Sequence, residues 1–126
     1  NTGPFIQYTH ARIKSILRKA DEQGIPHSAA DVTAGVELTP KEIRIIKILN
    51  TFPSKIAEAG AAFSPALIAN YAYDLAKEFN QYYHDVSILR EPDSRLLSMR
   101  LELISLVAKL LSKAMGLLGI ELPERM

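Results

Sequence analysis

"RLLSMRLELISLVAKLLSKAMGLL" (95–118) is the stretch that decides the fold. Leu97, Leu101, Ile104, Ala108, Leu111 and Met115 recur at steps of three and four residues, the period of an α-helix. Leu96, Leu103, Val107, Leu110 and Leu117 make a second stripe beside the first. An apolar surface this wide needs several neighbours to cover it, which places the helix centrally in a helical bundle. Asp93 or Ser94 supplies its N-cap, Gly116 and Gly119 close it, and "IELPERM" (120–126) is the tail.

The surrounding sequence supplies the neighbours. "SPALIANYAYDLAKEFNQYYHD" (64–85) opens with Ser64 as cap and Pro65 in the first turn, and carries a stripe of Leu67, Ile68, Tyr71, Leu75, Phe79 and Tyr82. "VSILREPDS" (86–94) connects it to the last helix. "TPKE" (39–42) is a capping box, with Thr39 at the cap, Pro40 in the first position and Glu42 three residues on. Ile43, Ile45, Ile46 and Leu49 give that helix its apolar face, and Pro53 ends it and begins a short helix, 53–63. At the start, "FIQYTHARIKSILRKA" (5–20) follows Pro4 with Phe5, Tyr8, Thr9, Ile13, Ile16, Leu17 and Ala20 at helical spacing. Between Asp21 and Leu38, Gly24, Pro26 and Gly35 break the pattern, and a polar, mobile loop is expected there. No strand-like alternation persists. The expectation is one all-α domain over 1–126, a compact bundle of about five helices.

Composition narrows the chemistry. At 126 residues with 48% hydrophobic content, the chain can bury a core. Without cysteine it has no disulfide, thiolate metal site or cysteine nucleophile. "NTGPFIQYTH" (1–10) is not a signal peptide, and charged residues interrupt every apolar stretch too early for a membrane span, so the chain reads as soluble, cytoplasmic and without a membrane partner. It starts without an initiator methionine, as an excised domain would. His10, His27 and His84 are scattered, no phosphate-binding glycine loop occurs, and Asp21/Glu22 and Glu91/Asp93 fall in loops. No catalytic residue and no metal ligand is assigned.

Net charge is only +1, so any case for a polyanion rests on where the charges sit. The first 20 residues hold Arg12, Lys14, Arg18 and Lys19 and no acid, with Tyr8 and Arg12 one helical turn apart on one face. An aromatic platform beside a guanidinium suits unpaired RNA bases, which stack on rings and offer their edges to donors. The structural alternatives are ordinary: Tyr8 half-packed, Arg12 paired with Glu78 or Asp85, and Tyr71 and Tyr82 in the core. Tyr83, about 100° round from Tyr82, is left free to face outward.

Three motifs in order carry a family resemblance: "NTGPFIQYTHARIKSILRKA" (1–20), "ALIANYAYDLAKEFNQYYHD" (66–85) and "SRLLSMRLELISLVAKLLSKAMGLLGIELPERM" (94–126). The chain resembles the C-terminal, helical anticodon-binding domain of class I arginyl-tRNA synthetases, the type named after a D-A-L-R signature. The nearest local text to that signature is "DSRLL" (93–97). The resemblance implies that Tyr8, Arg12, Tyr83 and Met126 contact the anticodon loop of an arginine-accepting tRNA. Lys14, Arg18 and Lys19 are added for its phosphates on charge alone, and Phe5 and Gln7 match a junction with the enzyme's own catalytic domain. It also implies no cofactor in these residues, because the segments that bind ATP (with Mg) and perform aminoacylation belong to the full-length enzyme. The rival expectation is a generic helical interaction domain docking a protein through exposed Leu and Ile.

Overall fold

Local signals set the helix boundaries. The structure, a computed structural model, describes residues 2–30 and 35–126, so residues 31–34 of the expected loop lie outside the described residues. The helices are α1 (Thr2–Glu22), α2 (Pro40–Asn50), α3 (Phe52–Ala62), α4 (Pro65–Asp85) and α5 (Ser94–Leu117), with one 3-10 turn at Ile88–Arg90 and no strand among the described residues. The capping box forms in both directions. Glu42 N–H donates to Thr39 Oγ1 at 3.2 Å, and Thr39 N–H donates to Glu42 Oε1 at 2.8 Å. Asp93, not Ser94, caps α5 by accepting from Arg95 and Leu96 N–H at 3.0 and 3.4 Å. Ser64 occupies the cap position of α4, but its hydroxyl makes no capping bond, so Pro65 alone marks that start.

Three helices end by one device. Beyond α5, Gly119 takes φ +76, which lets Ile120 N–H reach back to Met115 C=O at 2.9 Å. Gly24 does the same after α1, with Ile25 N–H on Ala20 C=O at 3.0 Å. Phe63 performs the same turn at φ 50, a backbone region a bulky side chain rarely enters.

The first stripe of α5 is wholly buried. In its second stripe Leu103 and Val107 are buried, Leu96 and Leu110 are half-buried, and Leu117 is exposed. α5 packs on α1, α2 and α4, while α4 touches all four other helices, so the hub is the α4–α5 pair rather than α5 alone. In α2, Ile45 is buried but Ile43 is exposed. The row that α2 turns toward α4 and α5 runs through Glu42 instead, and Ile43 lies about 100° round from it. The expected mobile loop is partly fastened. Ser98 Oγ donates to Pro26 C=O at 2.7 Å, and His27 Nδ1 lies 2.8 Å from Glu102 Oε2.

Glu42 is fully buried, and it is held from three sides. Tyr82 Oη donates to its Oε2 at 2.6 Å and Arg100 Nε to the same oxygen at 2.7 Å. Arg100 Nη1 also donates to Glu91 Oε1 at 3.0 Å. Burial works to raise the Glu42 carboxyl, but the bonds from Tyr82, Thr39 N–H and Arg100 outweigh it and hold it below the usual carboxylate range. Burial and the adjacent carboxylate together push the Tyr82 hydroxyl well above the ordinary tyrosine range. The spacing of polar residues within each helix gave no sign of this link between α2, α4 and α5.

Candidate nucleic-acid interface

Side chains on α1 divide into two adjoining rows. Tyr8, Arg12, Ser15 and Lys19 border an open pocket of about 340 Å³, and His10, Lys14 and Arg18 reach toward the C-terminal tail. Across the pocket stands Tyr83 of α4. Consecutive helical residues point about 100° apart, so Tyr82 enters the core while Tyr83 leans out. Tyr83 is 36% exposed and Tyr8 50%.

Arg12 links the two rings. Its guanidinium carbon lies 4.8 Å from the centroid of Tyr8 and 4.3 Å from that of Tyr83, within cation–π range of both. Nη2 donates to Tyr8 Oη at 3.1 Å, and Nη1 donates to Asn80 Oδ1 at 2.6 Å. The acids expected as competitors are engaged elsewhere. Glu78 pairs with Arg44 at 2.9 Å and Asp85 with Lys41 at 3.5 Å.

The tail completes the rim. Leu122 is buried, and the His10 ring donates from Nδ1 to Pro123 C=O at 2.7 Å, because a carbonyl can only accept. Arg18 Nη1 donates to Glu124 C=O at 3.1 Å. Arg125 and Met126 are thereby brought to the pocket, the methionine 74% exposed. Of the residues singled out from sequence, Tyr8, Arg12, Arg18, Lys19, Tyr83 and Met126 meet here. Lys14 is not in the lining, and its ammonium lies 3.6 Å from the Glu124 carboxylate instead. Sequence reasoning passed over Arg125, whose charge beside Met126 was the available signal, and Asn80, which offered none. The pocket lining thus holds Arg12, Arg18, Lys19 and Arg125 and no acidic side chain. Such a lining favours anionic ligands, and the two rings add faces on which planar groups can stack.

Elsewhere, Ile56, Phe63, Ile68, Leu117 and Leu118 line an apolar groove between α3, α4 and the end of α5. Among the described residues, no group of three or more His, Asp or Glu is placed to hold a metal ion, and no helix is long and apolar enough to cross a membrane.

Comparison with known proteins supplies the class first. Residues 6–126 match the family described as the DALR anticodon binding domain, and the chain belongs to that family. The particular proteins it is similar to are arginine–tRNA ligases. It is 56% identical over 126 residues to that of Phocaeicola vulgatus and 52% identical to that of Bacteroides thetaiotaomicron. All of the chain is covered, but it spans only 21% of each of those relatives. Among solved structures, the arginyl-tRNA synthetase of Thermus thermophilus superposes with a TM-score of 0.83 at 34% identity, over 98% of this chain and 21% of that one.

Proposed function

We propose that this chain is the module of an arginine–tRNA ligase that grips the anticodon loop of an arginine-accepting tRNA. The observation that carries the reading is the guanidinium of Arg12 lying against two half-open tyrosine rings, in a pocket with no acidic side chain. Anticodon bases are unpaired and can splay outward, so a ring face takes a base while the remaining N–H groups of Arg12 donate to its edge or to a phosphate. Arg18, Lys19 and Arg125 neutralise neighbouring phosphates. Met126, an adaptable apolar side chain, lies against a base at the rim. Lys14 contributes only long-range positive charge. ATP, Mg and the ligation of arginine belong to the catalytic domain of that ligase, which works in the cytoplasm.

The test is titration of this chain with the anticodon stem-loop of an arginine-accepting tRNA at several salt concentrations. Binding should weaken steeply with salt and weaken on Arg12→Ala and on Tyr83→Ala. Binding that ignores both substitutions would remove the site assignment. The chain alone should show no arginine-dependent ATP–pyrophosphate exchange.

A further inference from the structure

We infer that Asn80 is the positioning residue of this interface, acting through Arg12; the inference rests on the function proposed above. Asn80 is 8% exposed, inside the last third of α4, three residues before Tyr83. A buried carboxamide at such a position needs every polar atom satisfied, and asparagine is a poor choice for a helix interior. The bonds it makes show what it does there.

The direction of its amide is fixed by a relay. Thr9 Oγ1 donates its only hydrogen to Phe5 C=O at 2.8 Å, so toward Asn80 it can only accept. Asn80 Nδ2 donates to that oxygen at 2.7 Å and to Ala76 C=O at 2.9 Å. Both amide hydrogens thus meet atoms that have none to offer in return. Turning the amide over would set oxygen against oxygen on two sides, so Oδ1 is left facing Arg12, where Nη1 meets it at 2.6 Å. The chain of donors runs one way, from the guanidinium through Asn80 and Thr9 to the backbone of α1.

The consequence is preorganisation. Arginine is long and rotamer-rich, and on an open surface it would be ordered only when a ligand arrived. Here one corner of the guanidinium is bonded to a buried, fully satisfied amide, and its faces are set against two rings before any RNA binds. Leucine at position 80 would fill a similar volume, yet it would leave Arg12 unanchored.

The experiment is a double-substitution cycle read as affinity for the anticodon stem-loop, with unsubstituted chain, Arg12→Ala, Asn80→Leu and both together. Asn80→Leu should weaken binding about tenfold when Arg12 is present and less than about twofold when it is absent, as for residues acting through one contact. Equal losses in both backgrounds would overturn the inference, since a merely structural residue costs the same either way. If Asn80→Leu misfolds, Thr9→Val with Asn80→Leu removes both ends of the polar pair while preserving shape, a change that is often nearly neutral. It should fold and bind about tenfold more weakly than the unsubstituted chain, and binding like the unsubstituted chain would overturn the inference. NMR of the unsubstituted protein gives a readout free of RNA. The Nη hydrogens of Arg12 should be resolved and slow to interchange, and fully averaged signals would refute the anchoring. Absence of RNA binding by the unsubstituted chain would instead overturn the underlying function, and the recognition role of Asn80 with it.

Discussion

Tyr82 and Tyr83 are consecutive in the chain, and each belongs to a cluster containing an arginine, but the two clusters do opposite work. Inward, Glu42 sits between the Tyr82 hydroxyl and Arg100 Nε, at 2.6 and 2.7 Å, and the whole group is buried. Outward, Tyr83 and Tyr8 flank Arg12 with no acidic side chain in the pocket lining, and both rings keep a third or more of their surface in solvent. The residue types barely differ. What differs is whether an acid and the rest of the core consume their bonding capacity. The inner cluster is closed, and its hydrogen bonds tie three helices together; the outer one keeps spare donors, ring faces and positive charge for a ligand.

The largest contrast should appear in stability. Arg100→Ala strands the buried Glu42 and should cost about 3–5 kcal/mol, whereas Arg12→Ala, at a half-buried site open to the pocket, should cost about 1–2 kcal/mol. Thermal or denaturant unfolding of both variants checks this, and similar losses would break the distinction. In binding the order reverses. Tyr83→Ala should reduce affinity for the stem-loop by about 1–3 kcal/mol, the worth of one stacked base. Tyr82→Phe should leave affinity unchanged while lowering stability by about 1.5–3 kcal/mol, because Glu42 loses a donor to a charged acceptor.

A smaller effect sharpens the electrostatic half of the comparison. Removing Lys19 or Arg125, both at the pocket, should each lower the slope of log K against log salt by roughly 0.7, the single-strand value per phosphate contact. Lys47→Ala, on α2, should leave the slope unchanged. The smallest effect is in pH. The Glu42 carboxyl is held below its ordinary range in the folded state, so its stabilising contribution is complete above the unfolded-state value and is lost as pH falls through the folded one. Stability should therefore decline below about pH 4, and more steeply than in Glu42→Gln. Parallel pH profiles for the two proteins would show that the inner carboxylate is not held as described.

Much of this was legible in the sequence, because helix caps and apolar periodicity are local. Thr39, Pro40 and Glu42 announced α2, the stripe from Leu97 to Met115 announced a buried helix, and one turn of spacing set Tyr8 beside Arg12. Partners distant in sequence were not legible. Glu42 reads as a capping residue, and nothing near it signals Arg100, 58 residues away. Nothing near Arg12 signals Asn80, 68 residues away, while the acids that seemed available are paired to Arg44 and Lys41. His10 stood out in sequence only as one of three scattered histidines, yet it is 4% exposed and fastens the tail that carries Met126 to the pocket. Lys14 was chosen for its charge, and charge does not say that a lysine pairs with an acid such as Glu124 instead of lining the pocket.

The most direct measurement is backbone-amide NMR of the isotopically labelled chain as the anticodon stem-loop is added. The expected result is one connected set of shifted signals at Tyr8, Arg12, Lys19, Tyr83 and Met126, with the neighbourhood of Tyr82 and Arg100 unmoved beyond small secondary changes. Shifts gathered instead around Phe63, Ile68 and Leu117, or none at all, would contradict the claim that the open tyrosine–arginine cluster is where RNA binds.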